Sequence, residues 1–162
     1  MHCGLPATSV EVSCGKLGSD GSVTKWTANP GSGLGLEPFD KTVFNDALWF
    51  DGDTAANGTQ LYKLGNDGRV TQWTAIGTDL DPGDSTVFNN ALWFNGFDRT
   101  TQQNQLYKLG NDGSVTKWTN TGTDFDPNEL TVFNNALWFN GFDSNTGQNQ
   151  LYKLGDDGSV TK

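Results

Sequence analysis

Hydrophobic and polar residues follow one another along this chain in short blocks. β-Branched and aromatic residues form runs of four to six, and Gly, Asn, Asp and Pro separate these runs. Runs of this length and composition are typical of β-strands. Near the C-terminus they predict four strands, at residues 131–134, 136–140, 150–154 and from 159 onward. The pattern predicts no helix.

The connections inside this block predict hairpin turns. Asn134-Asn135 lies between the first two strands, and Asp157-Gly158 lies between the last two. Asn, Asp and Gly tolerate the positive φ angles of two-residue hairpin turns. The block is therefore predicted to be a four-stranded antiparallel meander.

The block is an internal repeat with a period of about 45 residues. Residues 42–50 recur almost unchanged at 86–94 and 131–139, and residues 60–74 recur at 105–119 and from 150 onward. We divide the chain into an N-terminal segment (1–14), a partial unit with the third and fourth strands (15–27) and full units at 28–74, 75–119 and 120–162. The first full unit has extra residues around 30–32 and none that matches Phe97.

The second strand of each unit is apolar on both faces. Leu92 and Phe94 lie on one face, and Ala91 and Trp93 lie on the other. A strand of this kind must be covered from both sides. A blade that lies between two neighbouring blades has that environment, so the repeat predicts an all-β fold, a β-propeller built from four-stranded antiparallel blades.

Two stretches of the last unit resemble a known class of repeat. Residues 130–141 read Leu-Thr-Val-Phe-Asn-Asn-Ala-Leu-Trp-Phe-Asn-Gly, and residues 149–158 read Asn-Gln-Leu-Tyr-Lys-Leu-Gly-Asp-Asp-Gly. This pattern is similar to kelch-type and ELWxxDGT-type propeller repeats. It departs from them in having Gln-Leu-Tyr for Glu-Leu-Trp and a single Gly for the double Gly of kelch units. The resemblance implies the fold, whereas such repeats serve many functions.

The number of units does not close a ring in the usual way, because one partial and three full units are present and at least about four blades are needed. Three alternatives remain open. The chain is part of a longer propeller, two chains associate into one ring, or residues 9–13 add a strand that completes a four-bladed ring. We favour the first two, and we expect self-association, since open blade edges pair with other chains.

The order of strands in a meander sorts the connections onto two faces. The first-to-second and third-to-fourth turns share one face, and the second-to-third and inter-blade connections share the other. The second face collects the candidate ligand-binding residues, which are Asn95, Phe97 and Asp98 in one unit and Asn140, Phe142 and Asp143 in the next. It also collects two pairs of carboxylates before proline, Asp79 with Asp81 and Asp124 with Asp126.

These residue types fit two kinds of ligand. Asn and Asp oxygens bind sugar hydroxyl groups while an aromatic ring stacks on the sugar, and the paired carboxylates suit calcium, which prefers oxygen ligands. Asp and Asn are also ordinary turn residues, and Phe97 and Phe142 would equally well plug the ends of the blade contacts. The sequence leaves these alternatives open.

Charge and cysteine content narrow the class of partner. The chain has a net charge of −9 and an isoelectric point near 4.3, which argues against nucleic acid. No apolar run is long enough for membrane insertion. Cys3 and Cys14 would close a disulfide in an oxidising compartment or remain free thiols, and we expect an extracellular or secreted protein whose leader is absent from this chain.

The chain shows little sign of catalysis. His2 is the sole histidine, and neither a phosphate-binding glycine loop nor a nucleophilic serine motif is present. The repeated polar residues suit repeated binding sites better than one asymmetric active site. The sequence predicts a non-catalytic, lectin-like module that binds a glycan or another neutral polar ligand, with calcium as an optional cofactor. The alternative is a structural or self-assembling extracellular scaffold.

Overall fold

The computed structural model describes residues 15–25, 36–54, 58–75, 80–119 and 126–162. Every regular element in these ranges is a β-strand. Cys3, Cys14, Asp79, Asp124 and the predicted strand at 9–13 lie outside the described residues. Within the described ranges there is no helix long and apolar enough to cross a membrane.

The strands form three four-stranded antiparallel sheets and one two-stranded pair. Each sheet is a meander in chain order, which confirms the predicted blade, and we number the sheets blade 1 to blade 3. The pair comprises β1 (Gly15–Leu17) and β2 (Val23–Lys25). Blade 1 comprises β3 (Glu37–Phe44), β4 (Ala47–Thr54), β5 (Gly58–Leu64) and β6 (Val70–Gln72). Blade 2 comprises β7 (Gly83–Phe88), β8 (Ala91–Asp98), β9 (Gln103–Leu109) and β10 (Val115–Lys117). Blade 3 comprises β11 (Asn128–Phe133), β12 (Ala136–Asp143), β13 (Gln148–Leu154) and β14 (Val160–Thr161).

The first hairpin turn of each blade has the predicted geometry. Asn134 and Asn135 have φ angles of 47° and 56°, and the matching residues of the other blades are also positive. The turn between the third and fourth strands is longer than the predicted two residues. It spans 155–159 in blade 3, where Asp157 Oδ1 accepts a hydrogen bond from the Ser159 amide at 3.0 Å. The aspartate thus closes an Asx turn.

The two kinds of tight turn share one face, as predicted. Asn45 Nδ2, in the first turn of blade 1, donates to Asn111 Oδ1 in the outer turn of blade 2 at 2.7 Å. Asn89 Nδ2 donates in the same way to Asp156 Oδ1 of blade 3 at 2.8 Å. These contacts fix the register of each blade on the next.

The second and third strands extend further than predicted. Strand β8 continues to Asp98 and β12 continues to Asp143, so the two sets of candidate binding residues lie on strands and not in loops as we expected. The pairing also corrects the alignment of blade 1. Asp53 pairs with Thr59 just as Phe97 pairs with Asn104, so a residue does match Phe97 and the shortening falls in the turn.

The two larger hydrophobic clusters lie between blades, and a smaller one lies at blade 1 around Phe50 and Tyr62. One cluster joins Phe44, Trp49 and Leu61 of blade 1 to Leu92 and Phe94 of blade 2, together with neighbouring side chains. A second cluster repeats the arrangement between blades 2 and 3. This packing confirms that the second strand is covered on both faces. Each blade therefore relies on its neighbour for burial of its apolar side chains.

The fourth strand ends in a tryptophan that also links blades. Trp73 packs edge-to-face on Trp49 of its own blade, with ring centroids 5.1 Å apart. Its Nε1 donates to the Gly113 carbonyl oxygen in the outer turn of blade 2 at 3.1 Å. Trp118 makes the matching bond to Gly158 at 3.3 Å. The indoles lie at the blade junctions and remain partly exposed, as expected for an outer strand.

Candidate functional site

The first strand of every blade carries an acidic residue in a β-bulge. Asp40, Asp84 and Glu129 occupy equivalent positions, and the pairing of first and second strands shifts register beside each of them. Their φ angles are 42°, 52° and 55°, a left-handed conformation that is uncommon for residues other than glycine. We call these three residues the bulge acids.

The bulge acids connect one blade to the next. The Asp84 amide donates to Asp40 Oδ2 at 3.2 Å, and the Glu129 amide donates to Asp84 Oδ2 at 3.0 Å. A cavity of about 330 Å³ lies beside them and is lined also by Lys41, Thr42, Ser85, Leu130 and Thr131. The inner strands therefore present a row of carboxylates to one cavity.

Two of the predicted ligand residues hold these acids in place. Asn95 Nδ2 donates to Asp84 Oδ2 at 3.3 Å and to the Pro127 carbonyl oxygen at 3.0 Å. Asn140 Nδ2 donates to Glu129 Oε2 at 2.7 Å. Both amides are therefore engaged in hydrogen bonds that support the fold. We call the position that these two asparagines occupy the Asn slot.

In blade 1 the Asn slot holds an aspartate. Asp51 lies opposite Phe39 in the strand pairing, just as Asn95 lies opposite Gly83. Its side chain is fully buried, and neither carboxylate oxygen has a hydrogen-bond partner. Burial, and to a smaller extent the negative charges of Asp40, Asp84 and Asp81, together raise the pKa of Asp51 to about 8. Sequence reasoning missed this residue, although an Asp where two repeats have Asn was a visible signal.

Asp98 and Asp143 lie inside the blades. Asp98 is buried, and its carboxylate accepts bonds from Lys117 Nζ at 2.5 Å and from the Thr100 amide at 2.9 Å. Asp143 is bound in the same way by Lys162 and by the Asn145 amide. The hydrogen bond from Lys117 lowers the pKa of Asp98, and the one from Lys162 lowers the pKa of Asp143 to about 2. Each aspartate ties the turn after the second strand to the fourth strand.

A wide cleft lies at the junction of blades 1 and 2. This wide cleft has a volume of about 750 Å³ and brings Asp98 and Lys117 beside two aromatic residues, Trp73 and Tyr107. Its other lining residues are Thr74, Ala75, Leu80, Thr100, Gly113 and Val115. Trp73 is 38% exposed. An ion pair beside an accessible indole is an arrangement that can contact both the hydroxyl groups and the apolar face of a ligand.

A narrow cleft of about 450 Å³ lies on the other side of Leu80. Its lining includes two predicted residues, Phe97 and Asp81. The remaining lining residues are Gly58, Thr59, Gln60, Arg99 and Gln102. At the second junction, Asn104 Nδ2 donates to Asp126 Oδ1 at 2.8 Å, and Phe142 is 40% exposed. The structure therefore brings Phe97 and Asp81 together, whereas Phe142 lies apart on blade 3.

The predicted calcium ligands do not form a compact cluster. Among the described residues, no three Asp, Glu, His or Cys side chains converge closely enough to hold a metal ion. Asp81 and Asp126 are exposed and have φ angles of 22° and 35°. Their predicted partners Asp79 and Asp124 are outside the described ranges. Calcium binding at these pairs stays a prediction.

The sequence matches no protein-family model and no curated protein. Solved structures do resemble the fold. A structure of streptogramin B lyase is 21% identical with a TM-score of 0.54, and the match covers 91% of this chain and 60% of that one. A prolyl endopeptidase structure is 9% identical with a TM-score of 0.64, and the match covers 88% of this chain and 21% of that one. This chain thus spans less than two thirds of either. The likenesses and the three meander sheets show an all-β fold of the β-propeller type.

Proposed function

We propose that this protein is a non-catalytic, lectin-like binding module that holds a carbohydrate in the wide cleft between blades 1 and 2. The observation that carries the proposal is the position of Trp73 beside the Asp98–Lys117 ion pair in a cleft of about 750 Å³. Ligand sites are typically concave, of roughly 300–1,000 Å³, with a few polar groups on an apolar wall. The wide cleft has these properties.

The chemistry of the lining suits a sugar. An indole face covers the C–H groups of a pyranose ring, while Lys117 and Thr100 offer donors and acceptors to its hydroxyl groups. Asp98 is buried and holds the ammonium group of Lys117, so a hydroxyl group in the cleft meets a donor that is fixed in position. The ligand we propose is therefore neutral and polar, in keeping with the acidic net charge.

The repeat supports a second, similar site. Trp118, Asp143, Lys162 and Tyr152 occupy in blades 2 and 3 the positions of the four principal lining residues of the wide cleft. Two weak sites on one rigid protein strengthen binding to a ligand that presents several sugars. An extracellular location and the kelch-like character of the repeat are parts of the same proposal. The propeller fold supports it only in general, since this fold carries many functions.

The proposal predicts that Trp73→Leu weakens glycan binding about tenfold, because the leucine keeps apolar cover but removes the stacking surface. Binding is measured on a glycan array and then by titration of the best sugar, with and without calcium. Phe142→Ala is the matched control, since Phe142 is 40% exposed against 38% for Trp73 and lies outside both clefts. Loss of binding in Phe142→Ala alone would place the site on blade 3 and contradict our assignment.

A second candidate function is assembly, and one observation favours it. Phe133 is 60% exposed and Leu151 is 55% exposed, whereas the equivalent Phe88 and Leu106 are 5% and 0% exposed. With Trp138, they form a surface whose equivalents in blades 1 and 2 are buried against the next blade, and we call it the open face of blade 3. The equivalent surfaces of blades 1 and 2 each pack on a following blade, so the open face of blade 3 has the side chains that contact another blade. We propose that a second copy of the chain covers it.

Assembly predicts that the protein is a dimer or a larger oligomer at micromolar concentration and that Phe133→Asp shifts the mass toward the monomer. A charge on this surface has to be buried when a blade docks, which costs several kcal/mol. The solution mass is measured by light scattering or analytical ultracentrifugation. Val43→Asp is the control. Val43 is 70% exposed, but it lies on blade 1 and is not part of the open face of blade 3. A monomeric wild-type protein would rule out this function.

A further inference from the structure

In blades 2 and 3 the asparagine in the Asn slot donates a hydrogen bond to the bulge acid. In blade 2 the Asn95 amide donates both to the carboxylate of Asp84 and to the carbonyl oxygen of Pro127, at 3.3 and 3.0 Å. In blade 3 the Asn140 amide donates to the carboxylate of Glu129 at 2.7 Å. In blade 2 the amide group thus lies between two oxygen atoms that would otherwise repel one another.

Blade 1 has the same acceptors without this donor. The repeat equivalents of Asp84 and Pro127 are Asp40 and Pro82, and the slot between them is occupied by Asp51. A cation that binds here displaces the proton of Asp51, and the ionised carboxylate then accepts hydrogen bonds and donates none. Both oxygens of Asp51 are buried without a partner. By equivalence with blade 2, two carboxylates and one carbonyl oxygen therefore take the positions that surround an N–H group there.

We propose that blade 1 binds one calcium ion in its Asn slot, with Asp51 and Asp40 as carboxylate ligands and the Pro82 carbonyl as a third oxygen. Hard divalent cations take oxygen ligands of this type, and calcium accepts irregular sets of six to eight that include backbone carbonyls and water. The cation takes the place of the Asn95 N–H group as the positive centre between the oxygens. This site differs from the carboxylate pairs before proline, and it is independent of the glycan proposal.

The surrounding charges favour the same location. Asp84 and Asp81 add negative potential around Asp51 from blade 2 and from the segment that leads into it. Asp84 itself is satisfied, because its Oδ2 accepts from the Glu129 amide and from Asn95. Asp40 Oδ2 accepts only the Asp84 amide among the hydrogen bonds of the described residues, at 3.2 Å. The lack of donors is thus specific to blade 1.

The site is tested by thermal unfolding of the whole chain after treatment with a chelator, with calcium or magnesium then added back. Binding to the native state raises the unfolding midpoint in proportion to the logarithm of ligand concentration over Kd. Calcium is expected to raise the midpoint of the wild-type protein and of Asp53→Asn, and to leave Asp51→Asn unchanged. Asp53 is the matched control because it lies two residues away on the same strand, is exposed and undergoes the same Asp→Asn replacement.

Isothermal titration provides the second measurement. We expect one calcium per chain for the wild type and at least a tenfold weaker affinity for Asp40→Asn, which keeps the left-handed backbone because Asn tolerates positive φ. Asn95→Asp, which builds the same set of oxygens in blade 2, is expected to raise the stoichiometry to two. Calcium binding that survives Asp51→Asn, binding of magnesium alone, or no binding to the wild type would each overturn the proposal.

Discussion

Leu106→Ala is expected to lower the free energy of unfolding by about 3 kcal/mol, within the range of roughly 2–5 kcal/mol measured for buried Leu→Ala changes. Leu106 is 0% exposed and belongs to the cluster that joins blades 2 and 3. The packed side chains around it cannot collapse fully into the space that alanine leaves. Urea unfolding followed by tryptophan fluorescence measures the effect.

The repeat supplies a matched control for this change. Leu151 occupies the position of Leu106 in blade 3 but is 55% exposed. Leu151→Ala is therefore expected to cost less than about 1 kcal/mol in the monomer, because little apolar area is lost from the interior. Equal losses for the two variants would show that the open face is already covered in solution, in agreement with assembly. A small loss for Leu106→Ala would contradict the packing described above.

Asp51→Asn is expected to stabilise the protein by roughly 2–4 kcal/mol at pH 7 in the presence of a chelator. The pKa of Asp51 is near 8 in the native state against an ordinary value of 3.8, and each pKa unit corresponds to about 1.4 kcal/mol. The asparagine has no charge to bury, and its amide can donate to oxygen acceptors as Asn95 does. The measurement is the free energy of unfolding of both proteins in urea.

The same change has a defined pH dependence. In the unfolded chain Asp51 ionises near pH 4, whereas in the native state it stays protonated up to about pH 8. The unfolded state therefore binds fewer protons in this window, and the wild-type protein loses stability as the pH rises through it. The gain from Asp51→Asn should be absent near pH 3, grow between pH 4 and 8, and then level off. A gain from Asp51→Asn that does not depend on pH would refute the explanation.

The fold was largely predictable because its determinants are local and repeated. The apolar runs marked the strands, and the Asn pairs marked the first hairpin turn of every blade. The strand ends were less predictable. Asn140 to Asp143 read as a polar loop, but the main chain pairs with β13 out to Gln148. Backbone hydrogen bonds extend a ladder whatever the side chains are, so polar residues at its end conceal it.

The candidate site was predicted only in part. Asp98 was chosen from the sequence and does line the wide cleft, whereas Trp73, Lys117 and Tyr107 were not chosen, because they join it from other strands. From the sequence we expected Asp98 to bind a ligand from a loop. In the structure it binds Lys117, which lies 19 residues away in the chain. Contacts of that separation depend on how the hairpins fold back, which the local pattern does not encode.

The sequence by itself determined the repeat, the four-stranded meander and the face that the tight turns share, because strand propensity, turn chemistry and strand order act over a few residues. Only the tertiary structure decided which polar groups are satisfied. Asp51 and Asn95 occupy equivalent positions and differ only in an oxygen atom against an NH2 group. The buried oxygens of Asp51 have no hydrogen-bond partner, whereas the amide of Asn95 donates to Asp84. That difference arises from neighbouring strands and blades, where burial turns a missing hydrogen bond into a large free-energy cost.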